Sequence, residues 1–158
     1  MPGDPALTTR CPSAQPEMSG ALVLGVVLPA ETGNRVAYLN DTLPVNDEVL
    51  ASAAPAPPTK VFRFSAICEE RKCVHFDGVE CNLASRIARQ LPAVVDKLPP
   101  CTIRRTCRWF AQEGGAACLR CPQIVTSGSA GEPLLASIAM PGDPLATRPN
   151  CQPTSCDE

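Results

Sequence analysis

The chain has 158 residues, of which 18 are proline, ten are cysteine and only 4% are aromatic, and its formal net charge is −2. This length allows one domain with a modest core and excludes two full domains. Because large core side chains are scarce and cysteines are abundant, we expect covalent or coordinate cross-links to supply part of the stability.

Charge is segregated along the chain. Residues 61–125, which hold most of the cysteines, carry ten basic and six acidic groups, whereas both flanks are acidic. A basic surface is typical of nucleic-acid binding, but this excess is small and the arginines lie beside cysteines. We therefore interpret the arginines as partners of negatively charged bound thiolates, with nucleic acid as the less favoured partner.

The start of the chain lacks the basic residues of an export signal, and the one apolar run, residues 21–30, begins too late for one. That run is also shorter than the roughly 20 residues that a membrane span needs. We therefore predict a cytoplasmic protein that does not associate with membranes. Since structural disulfides are uncommon in a reducing cytoplasm, the cysteines are expected to bind metal.

In chain order the sequence predicts four segments: a disordered leader at 1–20, a β unit with a proline-rich connector at 21–60, a cysteine-rich metal-binding module at 61–125 and a flexible tail at 126–158. In the β unit, residues 21–28 and 35–39 are predicted strands, and a short helix is expected after Asn46 or Asp47. Residues 60–64 predict a third strand. The fold class is therefore α+β: a small irregular metal-stapled module with short helices beside a short β unit, with disordered tails.

Two helices are predicted in the cysteine-rich module. Residues 82–91 follow a helical apolar period with Asn82 as N-cap. Residues 102–114 form the second, with Thr102 as N-cap and a glycine as its stop. In that second helix Cys107 would point towards the interior, where a metal is expected.

Seven cysteines are candidate metal ligands: Cys68, Cys73, Cys81, Cys101, Cys107, Cys118 and Cys121. A turn at Asp77-Gly78 is expected to bring Cys73 and Cys81 together. His75, the only histidine, is the candidate eighth ligand, and the alternative is that it only packs. Three cysteines are left out because they lie in the predicted tails: Cys11, Cys151 and Cys156.

The number of sites is open at this point. Eight ligands would fill two four-coordinate sites, one with four sulfurs and one with three sulfurs and the nitrogen of His75. The alternative is one four-cysteine cluster with several cysteines left over. The strongest local signal is the pair Cys118 and Cys121, because two intervening residues let both sulfurs turn towards one centre.

An iron–sulfur cluster of the 4Fe–4S type is the favoured cofactor, and zinc is the alternative. Common zinc fingers and ribbons need two short Cys-x2-Cys pairs, and the chain has one. A cluster is larger than one zinc ion and accepts ligands from more widely separated turns. The triple run of bacterial ferredoxins is absent, and one histidine is too few for a Rieske centre. Disulfides or free thiols are the third interpretation.

Four further side chains are predicted to surround the cofactor: Arg104, Arg105, Arg108 and Trp109. Arginines would stabilise the negative charge of a cluster, and the tryptophan would shield it from solvent. The alternative for the arginines is a solvated helix face, or a surface that docks an acidic partner or a phosphorylated ligand.

No catalytic motif for nucleophilic, phosphate-transfer or dinucleotide chemistry is present, which favours a protein that is not an enzyme. The expected function is an iron–sulfur protein in redox sensing, in electron transfer or as an accessory to a metalloenzyme, with a protein partner. The first alternative is a zinc-stabilised module that binds nucleic acid or an acidic protein. The second is an enzyme with an incompletely ligated cluster on Cys68, Cys73 and Cys81.

Overall fold

The computed structural model describes residues 8–31 and 33–126, together with Leu135 and Ile138. Residues 1–7 of the predicted leader and most of the predicted tail, with Cys151 and Cys156, lie outside the described residues. The predicted α+β class is confirmed, since an antiparallel sheet of four strands packs with several short helices.

The sheet contains β1 (Arg10–Ala14), β2 (Leu22–Pro29), β3 (Asn34–Pro44) and β4 (Phe62–Ile67), in the order β1-β4-β2-β3. All three neighbouring pairs are antiparallel. β2 and β3 form a hairpin, and β4 returns along the other side of β2 and pairs with β1. The three strands predicted from apolar runs are therefore β2, β3 and β4.

Alternation along the strands divides the core into two parts. Val23 and Phe64 lie on one face, in a cluster that also includes Val49 and Leu50. Leu24 lies on the opposite face, in the larger cluster with the helices of the cysteine-rich module. The module thus has the sheet as its floor, and strand residues that point towards it are candidates for its chemistry.

The helices are short. They are α1 (Asp47–Ala51), α2 (Pro58–Val61), α3 (Asn82–Gln90), α4 (Arg108–Glu113) and α5 (Gly115–Cys118), with 3-10 turns at Glu70–Lys72 and Cys121–Gln123. The predicted cap of α1 is present, because Asn46 Oδ1 accepts a hydrogen bond of 2.8 Å from the amide of Val49.

Part of the predicted disordered leader is instead ordered. Residues 10–14 form β1, with Cys11 opposite Ala66 of β4. The leader was predicted from its prolines, but β1 is an edge strand, where proline is tolerated and the partner strand supplies the order. Within the predicted tail, Ile138 is 1% exposed in the larger core cluster.

The second predicted helix begins later than expected. Cys107 has extended backbone angles and caps α4, and residues 102–106 form turns. The amide of Thr106 donates to the carbonyl of Ile103 at 2.9 Å, which closes one of those turns. Cys107 therefore lies at a helix start, beside amides that have no partner within the helix.

Gly25 marks the place where β2 is irregular. The register of β2 shifts between Val23 and Gly25 against both of its neighbours. A β-carbon added to Gly25 would lie 2.6 Å from the carbonyl oxygen of Ala37. The close approach of the two backbones therefore requires glycine here.

Among the described residues, no helix is both long enough and apolar enough to cross a bilayer.

Candidate metal centre

The eight cysteines of the described residues are all free thiols, and they line two separate cavities. We call the first the edge site, lined by Cys11, Cys68, Cys73 and Cys81. We call the second the face site, lined by Cys101, Cys107, Cys118 and Cys121. Their empty volumes, which include open solvent, are about 360 and 350 Å³. Two cavities of similar size thus hold four thiols each.

The edge site is built where β1 and β4 end. Cys68 follows β4 directly, and its amide donates to the carbonyl of Thr9 at 2.9 Å, which holds it beside Cys11. Cys73 ends a 3-10 turn. The predicted turn at Asp77 is present, because its carboxylate accepts from the amides of Val79 and Glu80.

Cys81 is held by one side chain at both of its backbone groups. Gln112 Oε1 accepts from the amide of Cys81 at 2.8 Å, and Gln112 Nε2 donates to its carbonyl at 2.9 Å. Gln112 belongs to α4, the same helix that Cys107 caps. α4 therefore ties the position of an edge-site thiol to the face site.

The face site lies between the sheet and the last helices. Its thiols come from the N-terminal cap of α4, the end of α5, the start of the last 3-10 turn and the turn that begins at Cys101. Leu24 of β2 and Tyr38 of β3 line the same cavity from the sheet. Four thiols from one stretch of the chain, residues 101–121, thus meet over the floor of the module.

Burial controls the ionisation of the thiols. It raises the pKa of Cys11 to about 12, and the charges of Cys81, Cys68 and Cys73 add to the rise. Burial also raises the pKa of Cys107 to about 12, with smaller contributions from its own site. These thiols are protonated at neutral pH, unlike the low-pKa thiolates of reactive cysteines.

Arg63, on β4, is fully buried beneath the face site. Its guanidinium donates to the carbonyls of Pro12, Cys121 and Ile124, and Nη2 lies 3.0 Å from Cys121 Sγ. It also lies 5.4 Å from the centre of the Trp109 ring. Burial alone would lower the pKa of Arg63, but the charge of Cys121 raises it overall.

A buried cation is costly unless an anion compensates it. The hydrogen-bond partners of Arg63 are three carbonyls and a thiol, so the anion that fits this position is the thiolate of Cys121. The face site is therefore built for negative charge.

Each site has a further arginine against one of its thiols. Burial raises the pKa of Cys118 in the face site, and the adjacent Arg104 opposes that rise. In the edge site, burial would lower the pKa of Arg108, but Cys68 and then Glu70 raise it overall. Arg108 Nη2 also forms an ion pair of 2.9 Å with Glu70.

Buried donors without a partner line both cavities. The Nε atoms of Arg104 and Arg108 have no hydrogen-bond partner among the described residues, and the hydroxyl of Tyr38 has no partner there other than the sulfur of Cys121. Burial, and next the charge of Cys121, raise the pKa of Tyr38. Donors left unpaired at the walls of a thiol cavity fit an anionic group with acceptor atoms, such as an iron–sulfur cluster with its sulfides.

Trp109 is the wall that the two sites share. It is 2% exposed and lines both cavities. The backbone also joins the sites, because Arg10 forms a bridge with Cys107 and its amide donates to the carbonyl of Thr106 at 2.8 Å. Cys107 of the face site is part of this bridge, and Cys11 of the edge site is the residue after Arg10.

A single metal ion does not match the spacing of these thiols. Within the described ranges, no three His, Cys, Asp or Glu side chains converge closely enough to hold one ion. The four thiols of each site instead line one cavity.

The structure brings the seven predicted cysteines together in two groups and adds Cys11 to them. His75 lines a larger cavity next to the edge site, where its Nδ1 is 3.2 Å from a nitrogen of Arg86. Of the four predicted surrounding residues, Arg104, Arg108 and Trp109 line the cavities. Arg105 is exposed, and it is not among the described residues that line either one.

Sequence reasoning missed Cys11, Arg63 and Tyr38. The module holds an odd number of cysteines, seven. Cys11 brings the eighth thiol from a strand that pairs with β4. An arginine between two phenylalanines in an otherwise apolar strand signalled Arg63. Nothing local distinguishes Tyr38, because its role depends on which strands meet below the face site.

Comparison of the chain with protein families, with curated proteins and with solved structures found no match.

Proposed function

We propose that the protein is an electron-transfer protein that binds two 4Fe–4S clusters, one in the edge site and one in the face site. The observation that carries this proposal is the partition of eight thiols into two cavities of four. Four cysteines are the complete ligand set of such a cluster. Each cluster would supply one-electron chemistry at the four thiols that line its cavity.

The surroundings of the thiols support a cluster over zinc. No three ligand side chains among the described residues could hold one ion, and each cavity presents buried donors that a cluster's sulfides would accept from. Arg63 adds a buried positive charge next to Cys121. Hydrogen bonds and cations around the sulfurs are the means by which proteins stabilise the extra charge of a reduced cluster.

The same features favour electron transfer over the two alternatives. With Cys11 as a fourth ligand beside Cys68, Cys73 and Cys81, the edge site has no open position for a substrate. The nucleic-acid alternative needs outward-facing arginines, but Arg104 and Arg108 line the thiol cavities.

The test is anaerobic purification followed by metal, sulfide and absorption analysis. We expect a brown protein with about eight iron and eight sulfide per chain, as two 4Fe–4S clusters require. The double variant Cys151→Ala/Cys156→Ala is the matched control and should load equally. A colourless protein with stoichiometric zinc, or one that binds no metal, would overturn the proposal.

His75→Ala tests the remaining ligand candidate. Because its ring contacts Arg86 and lines the neighbouring cavity, we expect the iron content to stay at the wild-type level. Loss of half of the iron would make His75 a ligand and would exclude the partition into two cysteine quartets.

A further inference from the structure

The two sites differ in the charge that surrounds them. In the face site, Arg63 reaches Cys121 without a carboxylate among its hydrogen-bond partners, and Arg104 lies against Cys118. In the edge site, the charge of Arg108 is offset by its ion pair with Glu70. An electron added to the face site therefore meets more uncompensated positive charge.

Burial strengthens this difference. Arg63 is completely shielded from solvent, so its field at the face site is weakly screened. Arg108 is partly exposed, and Glu70 is exposed. Charges of equal size thus act more strongly on the face site, and both differences favour reduction there.

The edge site adjoins an exposed apolar segment and a larger cavity. The segment that carries Cys73 and Cys81 also carries Val74 and Val79, which are 74% and 76% exposed. The larger cavity, with an empty volume of about 1020 Å³ that includes open solvent, is lined by three edge-site thiols and by none of the face-site thiols among the described residues. A partner protein that docks on this segment would therefore lie next to the edge site.

Trp109 and the bridge between Arg10 and Cys107 leave a short path between the sites. Paired backbone positions lie about 5 Å apart, and a strand adds about 3.3 Å per residue. The α-carbons of Cys11 and Cys107 are thus separated by less than roughly 10 Å on these spacings. The two clusters would be neighbours across one aromatic side chain.

The geometry points to a directed relay: one electron from a one-electron carrier protein enters the edge-site cluster and passes to the face-site cluster, which has the higher reduction potential because of Arg63. The carrier would lose one electron, the edge cluster would accept that electron and pass it on, and the face cluster would end reduced by one electron. Arg63 is a positioning residue that sets the order of the two potentials. This inference rests on the proposed function.

The experiment is an anaerobic potentiometric titration followed by electron paramagnetic resonance. The wild-type protein is compared with Cys11→Ala and Cys107→Ala, which identify the signal of each site. We expect the first electron to appear in the signal that Cys107→Ala lacks. Appearance of the first electron in the edge-site signal would overturn the inference, although a correct iron count would leave the proposed function standing.

Arg63→Met should lower the midpoint potential of the face cluster more than that of the edge cluster, because Arg63 contacts Cys121 directly and meets the edge site only at the carbonyl of Pro12, next to Cys11. Arg63→Lys keeps the charge but loses the fork of donors, so its shift should be smaller and in the same direction. Arg105→Met is the matched control, because Arg105 is exposed in the same part of the chain. Equal shifts in the Arg63→Lys and Arg105→Met proteins would contradict the role of Arg63.

The path between the clusters has its own readout. When both clusters are reduced, neighbouring spins should broaden the wild-type spectrum beyond the sum of the two single-site spectra. A wild-type spectrum equal to that sum would contradict the relay, whatever the order of the potentials.

Discussion

The edge site and the face site are each lined by four thiols but have different supports. The edge site is assembled by strand ends and turns, with an arginine that is shared with a surface carboxylate. The face site rests on the sheet, above a buried arginine without a carboxylate partner among its hydrogen bonds. Two sites with the same number of thiols thus lie among different charges, and neighbouring charges tune the chemistry of a group bound by such thiols.

The largest expected effect comes from removing one ligand of each site. Cys11→Ala should abolish the edge cluster and Cys107→Ala the face cluster, so each protein should retain about half of the iron as one 4Fe–4S cluster. Iron and sulfide analysis measures both. Loss of all iron from either variant would show that the sites are not independent, and full iron in Cys11→Ala would exclude Cys11 as a ligand.

A change in β2 should affect the face site more than the edge site. Gly25→Ala should destabilise the protein by about 3 kcal/mol, because the new methyl group meets the carbonyl of Ala37. Since Leu24 lines the face site, iron should be lost from that site before the edge site. Urea unfolding and the two site-specific signals provide the measurement. Unchanged stability would show that β2 adapts without cost.

The cluster-free protein should become less stable as the pH rises above 9. Burial raises the pKa of Cys11 and of Cys107 to about 12 in the folded chain, against 9.0 for an unperturbed thiol. Between these values the unfolded chain loses its thiol protons first, so alkali favours unfolding. The expected loss is roughly 2 kcal/mol per thiol between pH 9 and 10.5.

Urea unfolding at several pH values measures this slope, and Cys107→Ala should reduce it. A stability that is constant up to pH 10.5 would show that the thiols are not held in their neutral form. If both single variants flatten the curve equally, burial acts alike on the two sites, and their difference lies in the arginines alone.

The smallest expected effect concerns Gln112. Gln112→Ala removes two hydrogen bonds to the backbone of Cys81 and should destabilise the edge site by about 2 kcal/mol. The matched control is Asn46→Ala, which removes the cap of α1 at about 1 kcal/mol and is remote from both sites. Cluster loss on titration with a chelator should quicken at the edge site in the first variant only. Equal loss in both would contradict the role of Gln112.

Local features of the fold could be predicted from the sequence, and long-range ones could not. Apolar runs predicted β2, β3 and β4, and Asn46 predicted the start of α1, because these signals act over a few residues. The pairing of Cys11 with Ala66 spans most of the described sheet, and no local pattern encodes it. For this reason the sequence predicted seven of the eight thiols and offered two four-ligand sites as one arrangement, but it left out Cys11.

The same distinction applies to the surrounding residues. Arg104, Arg108 and Trp109 were predicted to lie near the cofactor because they are close to cysteines along the chain. Arg63 reaches the face site from a strand 58 positions before Cys121. Its role depends on β4 lying inside the sheet with that side turned to the module, which only the assembled fold determines.

Native mass spectrometry of the anaerobically purified wild-type chain tests the central claim most directly, because it counts the bound groups on each molecule. We expect one dominant species that carries two 4Fe–4S clusters, and one cluster in each of the Cys11→Ala and Cys107→Ala proteins. A wild-type chain that carries a single cluster, two zinc ions or no metal would contradict it.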